Sequence, residues 1–184
     1  MSRSLYFLVK PFILFLLAAV WSGTAAAESA AETDAKANQA IERLYKESSA
    51  ANELGAKASG ILIFPDITKA GLIVGGEYGE GVLRVSGVPQ GYYSSTSGSI
   101  GLQIGVSSRS LVFMFMTEES LKKFTDSDGW EAGVDADVTV VDEGATGSFD
   151  TTTVKNPVIA FNFGEEGLMA GVSVEGTKAS KLDK

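Results

Sequence analysis

The chain has 184 residues and a formal net charge of −8, with no histidine and no cysteine. An acidic balance without clustered Lys and Arg excludes a nucleic-acid surface, and the lack of cysteine excludes a disulfide framework. Lack of histidine removes the commonest general base, the commonest transition-metal ligand and the middle member of a Ser-His-Asp triad, so no catalytic residue, metal site or cofactor is assigned.

Arg3 and Lys10 lead into an apolar run from Pro11 to Trp21 and then the small residues Ala25, Ala26 and Ala27. That order predicts a secretory signal peptide over residues 1–27, cleaved near Ala27. The run is shorter than the roughly 20 residues of a membrane-spanning helix, which leaves an uncleaved anchor as the alternative. Residues 28–184 then suit a single domain with a sizeable core.

From Ala37, the residues Ala40, Ile41, Leu44, Tyr45, Ser48, Ala51 and Leu54 recur at spacings of three and four. This predicts an amphipathic helix ending near Gly55 or Gly60. Its polar face mixes Lys36, Arg43 and Lys46 with Glu42, Glu47 and Glu53. A membrane-surface helix is usually more basic, so this one is expected to pack on the domain's own sheet.

Short runs bounded by Gly, Pro, Asp and Ser follow at 61–64, 70–76, 81–86, 91–94, 98–106, 110–116, 136–142, 149–155, 157–163 and 168–175. They predict an α+β fold: an antiparallel β-barrel or sandwich-like sheet covered by the N-terminal helix. Ile61–Phe64 and Leu111–Met116 are apolar at consecutive positions, which calls for cover on both faces. One short helix is expected at 118–124, capped by Thr117, with Gly129 and Trp130 in a turn beyond it. A small outer-membrane barrel is disfavoured because most runs fall short of nine to eleven residues.

Glycines recur four apart in Gly71–Gly75, Gly101–Gly105 and Gly167–Gly171. Within a strand each pair would leave bare backbone on one face and let another layer approach closely. Gly75 to Gly81 matches neither a dinucleotide fingerprint nor a P-loop, and Ser99 lacks the first glycine of a nucleophile elbow. Glu77 with Glu80 is the nearest carboxylate pair, read as solvated turn acids. Asp126-Ser127-Asp128-Gly129 looks like part of a calcium loop, but Phe124 stands where the first ligand belongs.

The segment Ala56-Lys57-Ala58-Ser59-Gly60, then Lys69-Ala70-Gly71, Gly79-Glu80-Gly81, Gly91-Tyr92-Tyr93, Gly101 to Gly105, Gly129-Trp130 and Gly167-Leu168 leading to Gly176 occur in an order that resembles the SYLF domain family. The resemblance implies a non-enzymatic domain that binds phospholipid or a membrane surface. Actin filaments, bound by some members, are not expected partners of an exported chain. Together with the export signal and the lack of cysteine, the resemblance points to a periplasmic or secreted protein. A lipid site needs a local cation and apolar surface, and the candidate lipid-binding cations are Lys57 and Lys69 in the matching motifs and Arg84 after the glycine segment. The alternatives are a structural module of the periplasm with an envelope protein partner and a carboxylate-dependent hydrolase.

Overall fold

The computed structural model describes residues 28–71, 74–100, 107–141, 156–164, 167–169 and 172–184. Helix α1 (Ala30–Glu47) starts where the Ser29 side chain accepts from Glu32 N, satisfying one orphan donor of its first turn. It stops at Ser48, whose extended backbone turns the chain while its hydroxyl accepts from Ala51 N and caps α2 (Ser49–Gly55). The predicted single helix is therefore two, broken at a residue that serves as a cap for both.

The strands are β1 (Gly60–Gly71), β2 (Val74–Val85), β3 (Val88–Ile100), β4 (Ser107–Phe115), β5 (Trp130–Glu131), β6 (Val138–Val141), β7 (Val158–Gly164), β8 (Gly167–Leu168) and β9 (Lys178–Leu182), with α3 (Glu118–Thr125) between β4 and β5. They form one curled, mostly antiparallel sheet, a half-barrel ordered β5-β9-β3-β2-β1-β4-β7-β6, with β8 pairing β7. Only β6 and β7 pair in parallel among the described strands.

Two apolar layers lie on opposite faces of this sheet, as the consecutive apolar runs require. On the inner face Leu62, Phe64, Ile67, Leu83, Leu111, Phe113, Phe115, Phe124 and Trp130 form one cluster. On the outer face Ile63, Val82, Val112, Ile159 and Phe161 meet Ala37, Ala40 and Leu44 of α1 and Ala51 and Leu54 of α2. The N-terminal helix is thus the cover that the sequence called for.

Pro65 and Asp66 were a break between predicted runs, yet β1 continues through them. The register steps from Ile63↔Val82 to Asp66↔Glu80 on one side and from Phe64↔Leu111 to Ile67↔Arg109 on the other, so β1 carries one extra residue against both neighbours. Such a bulge bends the strand and raises its twist. Glycines opposite it let the backbones close up. A Cβ at Gly81 would run into the Ile63 carbonyl and come within 2.5 Å of Phe64, and one at Gly79 would lie 2.7 Å from the Asp66 carbonyl oxygen.

The close-approach role thus belongs to Gly79 and Gly81. Gly71 and Gly75 are not on one strand; they face each other as a cross-strand pair of the β1–β2 hairpin, because the chain reverses between them. Gly101–Gly105, Gly171 and the run 149–155 lie outside the described residues. The strands β1 to β4 are 12, 12, 13 and 9 residues long, so short strands do not argue against a membrane barrel. The helices packed on the outer face do, since that face of a membrane barrel meets lipid.

Helix α3 is capped by Thr117, which accepts from Ser120 N, as expected. Trp130 is not in a turn. It forms β5 against Ala179, is fully buried, and meets Phe113, Phe115 and Phe124 edge-on at centroid distances of 5.3, 6.1 and 5.6 Å.

Candidate functional site

Ala37, Ala40 and Leu44 of α1 point into the sheet, which leaves Ile41 and Tyr45 on one margin of the helix. There the bend at Ser48 carries α2 away and opens a cleft of about 470 Å³. Ile41, Tyr45, Ala56, Ala58, Ile61 and Ile63 supply apolar walls, with Arg84 as the cation and Ser86 and Gly87 at the end. Ser86 and Gly87 both have positive φ, 51° and 80°, and form the two-residue loop of the β2–β3 hairpin. Tyr45 lies over Gly55, where a Cβ would strike its hydroxyl, and burial raises the Tyr45 pKa. A cleft of this size with mainly apolar walls and few polar groups suits a small organic ligand or an acyl chain.

Arg84 is not a free cation. Its Nη2 pairs with Asp34 Oδ1 at 3.3 Å, and its Nη1 donates to Asn38 Oδ1 at 2.6 Å. Its Nε is buried without a partner among the described residues. Tyr92 donates to the other oxygen of Asp34 at 2.9 Å, and its pKa is raised by burial and then by that carboxylate. Arg84 therefore ties α1 to the sheet while forming part of the cleft wall.

Lys57 is exposed between Ala56 and Ala58, two residues of the cleft wall. Lys69 lies near the other end of β1, nine positions past Gly60, about 30 Å along a strand. It pairs across to Glu77 and Ser107. Arg84 thus lines the cleft and Lys57 stands in the chain between two of its lining residues, whereas Lys69 lies away from it.

Lys69 instead borders a polar cluster that the sequence reading missed. Arg109 Nη2 pairs with Glu77 at 2.6 Å, both nearly buried, while Nη1 donates to the buried Asn162 Oδ1 at 2.9 Å. Ser97 adds a bond to Glu77 at 3.2 Å. Glu77 is therefore an internal ion-pair partner, separated from Glu80, which faces α1. Adjacent strand positions point to opposite faces, and parity alone separates Glu77 from Glu80.

On the outer face Lys184 Nζ bonds Glu80 and, at 2.9 Å, Thr33 of α1. Burial alone would raise the Glu80 pKa, but hydrogen bonds from Lys184 and Tyr78 outweigh it and hold the carboxyl below its ordinary value. Tyr78, desolvated and bonded to Glu80, is pushed up to about 12.

Residues 96–184 match the family model of Ysc84, described as a Las17-binding protein actin regulator. This stretch, just under half of the chain, is similar to the Ysc84 (SYLF) family. The family is associated with lipid or actin-regulatory binding. No curated protein matches the chain. The Ysc84 match takes in the end of β3, all of β4 and α3, and everything after them. The apolar cleft lies before it, on α1, α2 and the β1–β2 pair, joined to the Ysc84 half through β1–β4 and β2–β3 pairing.

Proposed function

We propose that the protein binds a phospholipid, without catalysing a reaction, at the periplasmic side of a membrane. The observation that carries this reading is the apolar cleft of about 470 Å³ with Arg84 in its wall and Lys57 beside it. An acyl chain would lie against Ile41, Tyr45, Ala58, Ile61 and Ile63, gaining about 0.8 kcal/mol for each methylene removed from water. The phosphate would meet Lys57 beside the cleft and Arg84 in its wall. Similarity of residues 96–184 to the Ysc84 (SYLF) family supports a binding role, and the signal-like residues 1–27 support export.

Mass spectrometry of lipid extracted from the purified chain tests the reading. Ala58→Trp, which fills the cleft from a loop position, is expected to come out with less bound phospholipid than the parent chain. Equal lipid in both would place the ligand elsewhere. Purification free of lipid, together with capture of an envelope protein, would favour the protein-interaction alternative.

A further inference from the structure

The opposite margin of α1 carries a second cleft, smaller and polar, at the bulge of β1. It encloses about 250 Å³ and is lined by Lys36, Gln39 and Arg43 of α1, by Pro65 and Asp66 of the bulge, and by Ser108 to Ser110 of β4. The bulge creates it, since the extra residue displaces Pro65 and frees its carbonyl, which accepts from Ser110 Oγ at 2.6 Å.

Its cations differ in how they are neutralised. Lys36 pairs with Glu28 and, at 3.6 Å, with Glu32. Arg109, though its residue borders the cleft, turns its guanidinium to the other face of the sheet, where it pairs with Glu77. Arg43 has no carboxylate partner among the described residues. Its Nη2 donates to Ser110 Oγ at 3.2 Å, and its guanidinium lies 5.1 Å from the Phe163 ring centroid. Its Nε is buried without a hydrogen-bond partner. Asp66 is the one carboxylate among the lining residues, and it is exposed.

A guanidinium held in place by a hydroxyl and an aromatic face, with donors left over, is preorganised for a planar or tetrahedral oxyanion. Ser108 and Gln39 add polar groups at the rim. We infer that this cleft binds a phosphate group, with Arg43 as the central contact. Its polar lining and small volume exclude an acyl chain, so the occupant is a phosphate carried by a lipid headgroup or a free phosphate or small phosphomonoester. The inference does not depend on the phospholipid reading of the apolar cleft.

The test is titration of the full chain with inorganic phosphate and with glycerol phosphate, followed by NMR at the arginine Nε–H signals. A parallel arm floats the chain with vesicles of phosphatidylcholine alone or with phosphatidic acid added. Arg43→Gln removes the contact, and loss of a charge-assisted bond should weaken binding roughly tenfold or more. Because Arg43 also packs on Phe163, Ser108→Asp serves as a second variant: it puts a like charge at the rim without touching the core. Arg43→Gln should lose the phosphate-induced shifts of the Ser108 and Ser110 backbone amides, and Ser108→Asp should lose the Arg43 Nε–H response to phosphate. Flotation on phosphatidic acid that falls in Ser108→Asp assigns the site to a lipid headgroup. Phosphate binding that falls while flotation is unchanged assigns it to a soluble phosphate. An Arg43 Nε–H signal unmoved by phosphate, with flotation equal in Ser108→Asp and the parent chain, overturns the inference.

Discussion

The two margins of α1 look onto the same sheet and end in opposite chemistry. Ile41 and Tyr45 on one side face Ala58, Ile61 and Ile63 across an apolar cleft, whereas Lys36, Gln39 and Arg43 on the other face Ser108, Ser110 and the β1 bulge. The sequence presents α1 as a helix of nearly balanced charge. In space that balance is divided: the core stripe of Ala37, Ala40 and Leu44 separates an apolar margin from a cationic one. A helix too neutral to lie on a bilayer can still supply one wall each to a lipid-like and a phosphate-like site.

The bulge builds the polar cleft and the apolar cleft ends against Ile63 beside it, so the largest effect is expected from Gly81→Val. The new side chain meets Ile63 and Phe64, and overpacking of this kind costs roughly 1–3 kcal/mol or more. Urea unfolding should show the loss, and both ligand responses should fall together. An unchanged midpoint would mean that the backbone at the bulge yields freely.

Arg84→Ala should separate the margins. It removes charge-assisted bonds to Asp34 and Asn38, each worth about 1.5–3 kcal/mol when buried and less here because the pair is partly exposed. Thermal melts should register the loss, and lipid binding should weaken while the Arg43 response to phosphate persists. If the phosphate response disappears as well, the margins are coupled through α1.

Lys57→Ala should weaken flotation on anionic vesicles about fivefold, from about 1 kcal/mol for one cation near a charged surface. Lys69→Ala, about 30 Å away along β1, should leave it unchanged. Equal losses in the two would point to diffuse attraction instead of a cleft.

The smallest effect concerns acid. Because the folded state lowers the Glu80 pKa, the contribution of Glu80 is complete above the ordinary carboxylate value near 4.3 and is lost as pH falls through its lower folded value. Glu80→Gln should therefore flatten the decline of Tm below about pH 4.3 and leave its neutral-pH binding intact. An unchanged slope would show that the Lys184–Glu80–Thr33 contact does not hold α1 down.

Much of the fold was legible. The spacing in α1, the consecutive apolar runs of β1 and β4, and the Thr117 cap of α3 each express a local rule. What the sequence concealed was nonlocal. Pro65 and Asp66 read as punctuation because a bulge has the same turn-like composition as a strand end. Gly71 and Gly75 read as one strand because a hairpin and a strand interior share a glycine pattern when no pairing is visible. Strand β9, Lys178 to Leu182, went unseen because only Ala179 is buried and the alternation is faint. Of the candidate cations, Arg84 reaches the cleft beside the Lys57 loop only because β1 and β2 pair. Arg43 and Arg109 were hidden because a cation's significance depends on whether a carboxylate folds back onto it.

The most direct test of the account is NMR of the chain with a phospholipid spin-labelled on its acyl chain. Broadening concentrated at Ile41, Tyr45, Ala58 and Ile61, absent at Ser108 and Ser110, is the predicted result. Broadening spread over the exposed surface, or confined to residues away from the α1–α2 elbow, would contradict it.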